Sequence, residues 1–341
     1  MRRRFQRLLL GAHTRRMITV PTYVGLWLAG TLLLPIVIPI AAVTDIIARR
    51  NFAITRTMLQ AYVYVSVEFV GLLVILYLGM NRWRYSKEEW HRKHVRLEGW
   101  WAQVQFTWAV RIFRLKLQVE GDDELAVGPY LLFIRHVSIV DNLIPAVFAV
   151  QRRNIALRWV LNWYLMRDPC IDIVGHRVGC TFVRGGTDHS QREIHRIREM
   201  ADNLGPGEGV IIYPEGTLFS PSKQEKVVSR LVERSDAEVA EFARGLRNVL
   251  PPRLGGTIAL LETHPDVDVV FCAHSGLEAA LDKASILGGG LVGKELRIKF
   301  WRVPAAEIPK HRDELRRWLF DEWNKVDDFV TAGVDGASRD S

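Results

Sequence analysis

Two long apolar stretches separated by a short charged turn dominate the N-terminal part of the chain. Met17 to Thr44 holds no charged residue, and Thr57 to Asn81 holds only Glu68. A helix needs about 20 apolar residues to cross the hydrocarbon core of a bilayer. Each stretch is long enough, so the pattern predicts two transmembrane or membrane-embedded helices joined near Asp45 to Arg56. Pro35 and Pro39 are expected to kink or break the first of them, which leaves a re-entrant hairpin dipping into one leaflet as the alternative to two crossings. A secretory signal would be shorter and would end in a small-residue cleavage site, a pattern these stretches do not fit. Glu68 inside the second stretch is either a functional carboxylate or one seated at an interface.

Beyond Asn81 the apolar runs become short and alternate with amphipathic segments. Glu88 to Leu117 reads as mostly helical and leads into a strand and turn at Lys116 to Gly121. Tyr130 to Arg135, Cys180 to Arg184, Gly209 to Tyr213, Val267 to Ala273 and Leu296 to Trp301 read as strands, with a helix over Asp188 to Leu204. Pro309 opens a last helix to about Phe329. Such alternation predicts an α/β fold, a mixed or parallel sheet flanked by helices. The chain divides into a basic segment with the hairpin (residues 1–81), one catalytic domain (82–330) and a polar, disordered tail (331–341).

Charge adds an orientation. Arg2, Arg3, Arg4, Arg7, Arg15 and Arg16 precede the first apolar stretch, and Arg82, Arg84, Lys87, Arg92, Lys93 and Arg96 follow the second, whereas the turn between them has only Arg49, Arg50 and Arg56. The positive-inside rule puts both flanks, and the catalytic domain, on the cytoplasmic side. The net charge of +8 over 341 residues suits anionic membrane lipids. Nucleic acid is excluded as the partner, because the charge flanks the apolar stretches and no zinc-finger or RNA-binding signature is present. Trp83, Trp90, Trp100, Trp101 and Trp108, interleaved with cations, form either an interfacial belt or part of a core. Cys170, Cys180 and Cys272 are scattered, and the ten histidines lack metal-ligand spacing, so neither a disulfide framework nor a metal site is expected.

The chemistry concentrates at strand ends. His136 and Asp141 follow the apolar run Tyr130-Leu-Leu-Phe-Ile134. A neutral imidazole can take a proton from a hydroxyl, and a carboxylate on its other nitrogen fixes the tautomer and stabilises the imidazolium. Gly179-Cys-Thr-Phe-Val-Arg184 delivers an Arg, and Gly209-Val-Ile-Ile-Tyr-Pro-Glu-Gly-Thr217 ends a further strand in a tight polar turn. Open α/β sheets build sites at such ends.

In this order the motifs resemble those of the glycerolipid acyltransferases, the 1-acylglycerol-3-phosphate acyltransferases and related lysophospholipid acyltransferases, over about residues 95–305. The resemblance implies transfer of a fatty acyl group from acyl-CoA or acyl carrier protein to a lysolipid hydroxyl, most simply 1-acylglycerol-3-phosphate to give phosphatidic acid, with no metal or other cofactor. It implies His136 as general base, Asp141 as its holder, Ser138 at the Ser of the His-x-Ser-x-x-Asp form, and Arg184 on the acceptor phosphate. Glu215, Gly216 and Thr217 would line the acceptor side, Glu215 alternatively holding its loop by accepting main-chain hydrogen bonds. Two departures stand out. Leu218 replaces the family's common Arg after Glu-Gly-Thr, and Arg184 comes sixth in its motif, as in some glycerol phosphate acyltransferases, where the frequent place is seventh. Lys223, Arg247 and Arg253 are candidates to compensate. They lie in an insertion-like stretch, Phe219 to Gly256, whose Leu250-Pro-Pro-Arg-Leu-Gly-Gly256 resembles a segment of longer lysophosphatidic acid and lysocardiolipin acyltransferases. A transacylase, an acyltransferase for a different acceptor (glycerol 3-phosphate, another lysophospholipid or a non-phosphorylated alcohol), and a non-catalytic lipid-binding membrane protein are the alternatives.

Overall fold

The computed structural model describes residues 11–138, 140–183, 195, 198–233 and 237–339. Among them seven strands, β1 Lys116–Glu120, β2 Tyr130–Ile134, β3 Ala156–Asn162, β4 Thr181–Val183, β5 Glu208–Ile212, β6 Asp268–Ser275 and β7 Glu295–Val303, form one mixed sheet. Its order is β1-β7-β6-β2-β5-β3-β4. The five strands from β6 to β4 run parallel, β7 is antiparallel to β6, and β1 is parallel to β7. The C-terminal ends of β6, β2, β5, β3 and β4 therefore share one rim, the edge where parallel sheets carry their chemistry.

Among the described residues the longer helices are α1 Ala12–Ala48, α2 Ala53–Met80, α3 Lys87–Phe113, α4 Val140–Gln151, α5 Pro169–Val178, α6 Pro221–Glu233, α7 Ala237–Gly245, α8 Leu254–Thr263 and α9 Arg312–Arg339. Each face of the sheet has its own core. Tyr130, Leu132 and Ile134 of β2 pack with Phe106 of α3 and Phe148 of α4, while Leu131 and Phe133 pack with Leu260 of α8 and Trp323 of α9. All five β2 residues are buried, as expected of a central parallel strand covered on both sides. Local signals set the helix ends. Ser86 and Glu89 form a capping box at α3, and Asp168, with Pro169 behind it, caps α5.

The hairpin of α1 and α2 touches the sheet-bearing body at three places. Asp45 accepts from the main-chain N–H groups of Ile54 and Thr55 at 3.1 and 2.8 Å, which closes the turn. Arg56, just beyond that turn, donates to the Ile112 carbonyl of α3. Farther along α2, Glu68 is buried and accepts from Trp101 Nε1 of α3 at 2.5 Å. Arg15 and Arg16 of α1 clasp Asp172 of α5 at 2.5 and 2.9 Å. Start, middle and turn of the hairpin thus touch one body, while α1 keeps Leu32 and Ile47 76% and 78% exposed.

Several expectations change. α2 and α3 share packing across the boundary at residue 81, Leu72 and Ile75 lying in one core with Val95 and Leu97. Pro35 and Pro39 do not break α1, which is helical through both. β3 escapes the hydrophobic pattern because Arg158 interrupts its apolar run, its guanidinium held instead by Glu208 and the Met200 carbonyl at 2.8 Å each. The stretch after Phe219 forms α6 and α7 and contributes Leu246, Val249 and Leu250 to the core, so it is integral to the domain. The tail expected to be disordered continues α9 to Arg339, with Thr331 bonded to Asn248 at 2.9 Å. The expected helix over Asp188 to Leu204 falls mostly outside the described residues. Of the tryptophans after Asn81, Trp83 and Trp108 are exposed, whereas Trp101 faces Glu68 inside.

Candidate active site

β2 ends at Ile134, and the next two residues turn into the rim. His136 Nδ1 lies 3.2 Å from both carboxylate oxygens of Asp141. Asp141 is fully buried and its Oδ2 also accepts from the main-chain N–H groups of Val137 and Ser138, at 2.8 Å each. These two bonds can form only if the chain folds back within five residues, which is why the spacing matters. Ser138 is buried as well, and its Oγ accepts from Val140 N at 3.0 Å, so it shapes the turn. The carboxylate on Nδ1 favours the Nδ1–H tautomer and leaves the Nε2 lone pair available. The His136 side chain is 19% exposed, reachable yet largely shielded.

The turn after β5 closes over this pair from the other side. Glu215, 2% exposed, accepts from His136 N through Oε1 at 2.8 Å and from Leu250 N through Oε2 at 2.9 Å. Burial pushes its pKa up to about 7, the two N–H donors opposing the rise. Phe219 N donates in turn to the His136 carbonyl at 2.7 Å. Main-chain groups of His136 are thereby pinned on both sides by the Glu-Gly-Thr loop. Of the two roles open to Glu215, the geometry is that of a loop holder.

Gly216 has φ +64, and a Cβ there would meet Arg253 Nε at 2.5 Å, so glycine admits both the turn and the close guanidinium. Arg253 N donates to Pro214 O at 2.8 Å. Lys223 Nζ donates to Thr217 Oγ1 and to the Leu218 carbonyl, at 3.2 and 2.8 Å. Gly216, Thr217, Lys223 and Arg253 are thus brought together, two cations beside the loop whose usual Arg is Leu218. Arg247 is exposed, its main chain held by Asp327. Arg184 lies outside the described residues.

Three residues of the site were not singled out from sequence. Tyr213 places its ring 4.1 Å from the His136 ring and donates to Asn142 Oδ1 at 2.5 Å, its hydroxyl pKa raised by burial. Arg135, fully buried, donates to the carbonyls of His274 and Asn248 and to Glu278, at 2.8, 3.0 and 2.7 Å. His274 of β6 sits behind Asp141, with Nε2 3.9 Å from Oδ2 and 3.1 Å from the Arg135 carbonyl. The carbonyl requires a proton on Nε2, and burial lowers the His274 pKa to about 4, keeping the ring neutral. The available signals were an Arg ending an apolar strand and an aromatic ring directly before Pro-Glu.

An apolar cavity of about 140 Å³ borders the start of α4, its lining including Asn142 and Leu143 next along the chain from Asp141, Gly71 of α2, Trp101 of α3, Trp159 of β3 and Cys170 of α5. The hairpin therefore supplies part of its wall.

The chain resembles known proteins at three levels. A family model described as Acyltransferase matches residues 116–269. The mouse 1-acyl-sn-glycerol-3-phosphate acyltransferase epsilon is 22% identical over 205 residues, 56% of this chain and 54% of the mouse protein, so the match spans about half of that relative. The crystal structure of the 1-acyl-sn-glycerophosphate acyltransferase PlsC from Thermotoga maritima superposes with a TM-score of 0.52 at 17% identity, covering 83% of this chain and 98% of that one. That likeness establishes the fold.

Proposed function

We propose that this chain, which belongs to the glycerolipid acyltransferase family, moves a fatty acyl group from acyl-CoA or acyl carrier protein to the free hydroxyl of a lysophospholipid, 1-acylglycerol-3-phosphate above all. The observation that carries the reading is the buried carboxylate of Asp141, 3.2 Å from His136 Nδ1, which leaves Nε2 as the base. Nε2 takes the proton of the acceptor hydroxyl as its oxygen attacks the thioester carbonyl, and Asp141 stabilises the resulting imidazolium. When the tetrahedral intermediate collapses, the C–S bond breaks and the imidazolium returns the proton to the departing thiolate. His274, held neutral behind Asp141, adds no cation that would compete for the carboxylate.

Lys223, Arg253 and the Thr217 hydroxyl would receive the acceptor phosphate. Together they supply positive charge where Leu218 does not, and Arg184 would add to them. The cavity beside Asn142 and Leu143 suits the acyl chain of the donor. Because the turn of the hairpin, the middle of α2 and the start of α1 all contact the catalytic domain, the hairpin fits embedding in one leaflet better than crossing. The exposed apolar face of α1 would meet lipid, with the catalytic domain on the cytoplasmic side.

The test is free CoA release by detergent-solubilised protein given acyl-CoA and lysophosphatidic acid, with His136→Ala in parallel. Release that needs the lysolipid and falls at least about a hundredfold in the variant is expected, the range for loss of a general base. Equal release by both proteins would remove His136 from the chemistry. Acyl transfer between phospholipids without any thioester would favour the transacylase.

A further inference from the structure

The start of α1 meets the body at a group of cations that the catalytic site does not use. Arg15 and Arg16 share the single carboxylate of Asp172, Arg15 through Nη2 at 2.5 Å and Arg16 through Nε at 2.9 Å. Arg177 lies five residues beyond Asp172, in the last turn of α5. Its Nη1 donates to His94 Nε2 at 2.8 Å, and its guanidinium carbon stands 5.0 Å from the centre of the Trp90 ring. His94 brings no opposite charge, since its Nδ1 donates to the Trp90 carbonyl at 2.7 Å and burial lowers its pKa to about 4. Burial and the charge of Arg16 also hold the Arg177 pKa below its ordinary value. Among the described residues, Asp172 is the only carboxylate paired with these guanidiniums, three cations against one anion. Arg16 Nη1 and Arg177 Nε and Nη2 have no hydrogen-bond partner there, and none of them is shut off from solvent.

We infer that Arg16 and Arg177 bind the phosphate of one anionic phospholipid headgroup at the base of the hairpin, a lipid site separate from the catalytic rim. A guanidinium offers its free N–H groups as a fork that matches phosphate oxygens, and such charge-assisted bonds are the strong ones. The surplus of positive charge selects a headgroup of net negative charge, because the ammonium of a zwitterionic headgroup would be repelled. The inference rests on the leaflet-embedded reading of the hairpin, and the surroundings favour a lipid over a free anion. Met17 follows Arg16 directly and is exposed, as is Trp83 just beyond the end of α2. Apolar and aromatic side chains next to cations mark the level at which lipid phosphates lie. Arg82 approaches the same Trp90 ring at 4.9 Å, which ties the end of α2 to the site. Topology separates this site from the rim. α5 follows β3, whose C-terminal end is at the rim, and leads into the N-terminal end of the parallel β4, so Arg177 lies toward the opposite edge of the sheet.

The experiment follows the melting temperature of the full chain in detergent during titration with dioctanoyl phosphatidylglycerol, dioctanoyl phosphatidylcholine or inorganic phosphate. It reads no acyl transfer, so this inference and the acyltransferase reading can fail separately. A saturable rise with phosphatidylglycerol alone is expected. Arg177→Gln keeps a donor for His94, and Arg16→Gln leaves Arg15 on Asp172. In each, half-saturation should need about tenfold more lipid or beyond, the scale of one lost hydrogen bond to a charged group. Arg317→Gln removes an equal charge from an exposed position of α9, on the other face of the sheet, and should keep the wild-type midpoint, as should Lys223→Gln at the Glu-Gly-Thr loop. If Arg177→Gln does not fold, Arg16→Gln decides the matter. Equal displacement of the midpoint by Arg317→Gln would reduce the site to diffuse attraction and overturn the inference. Displacement by Lys223→Gln but not by Arg16→Gln or Arg177→Gln would do the same by placing the lipid in the acceptor site. A rise of equal size with inorganic phosphate, or none with phosphatidylglycerol, would also overturn it.

Discussion

The rim of the sheet and the cavity beside it are built in opposite ways. At the rim, position is fixed by main-chain hydrogen bonds to carboxylates. Asp141 gathers Val137 and Ser138, and Glu215 gathers His136 and Leu250. In the cavity, shape is fixed by packed side chains from α2, α3, α4, α5 and β3, segments far apart in sequence. One region depends on a few residue identities and the other on volume. Substitutions at the rim should therefore abolish chemistry without choosing among substrates, whereas substitutions in the cavity should choose among substrates and spare chemistry.

The largest effect belongs to Asp141→Asn. The asparagine carbonyl can still accept from Val137 and Ser138, so the turn should persist. Its amide, however, would present N–H groups to His136 Nδ1 and favour the tautomer with the proton on Nε2, where the base must be free. A fall in kcat of about 10²–10⁴ is expected, with circular dichroism unchanged and the same ratio across acyl donors. Unequal losses for long and short donors would break the division between rim and cavity.

That division also explains what could be read from the chain. His136 and Asp141 were legible because their contact spans five residues and the bond pattern requires those side chains. The central strands β2, β5 and β6 were legible because burial on both faces leaves an unbroken apolar run. β3 was not, since Arg158 satisfies its charge on Glu208 and a carbonyl, contacts between segments that no local window contains. Tyr213 and His274 were missed for the same reason: their roles come from the Asn142 and Arg135 partners that folding brings to them. The apolar stretch of α2 was plain in sequence, but its use as a cavity wall depends on Gly71 meeting Trp101 and Cys170 across helices.

Gly71→Leu tests the cavity side. A Cβ at Gly71 would stand 2.9 Å from Cys170 Sγ and 4.0 Å from Trp101 Cδ1, so a leucine must enter the cavity or push those neighbours aside. Overpacking of this kind costs about 1–3 kcal/mol. For long-chain acyl-CoA, kcat/KM should fall about tenfold or more, the factor that corresponds to 1.4 kcal/mol. A short-chain donor that ends before α2 should keep its rate. Parallel losses for both donors would place the acyl chain elsewhere.

The smallest effect lies in the pH dependence of stability, and it follows from the two buried titratable groups of the rim. Glu215 is raised from 4.5 to about 7, chiefly by burial, so its contribution is complete below pH 4.5 and is lost as pH rises through 7. His274 is lowered from 6.5 to about 4, again chiefly by burial, so its contribution is complete above pH 6.5 and is lost as pH falls through 4. Over the shared window the slopes oppose each other and the shifts are of similar size, so the wild-type melting temperature should receive little net slope from this pair. Each substitution should uncover the other group: melting temperatures of Glu215→Gln should rise with pH relative to wild type across pH 4.5–6.5, and those of His274→Gln should fall. Glu98 of α3, raised by burial to about 8, titrates alike in all three proteins and drops out of the differences. A shift of one pKa unit corresponds to about 1.4 kcal/mol, so the divergence should reach several degrees for a domain of this size. Parallel curves for the three proteins would mean that the carboxyl of Glu215 and the ring of His274 are not shut away from water, and the rim would then owe its rigidity to packing, as the cavity does.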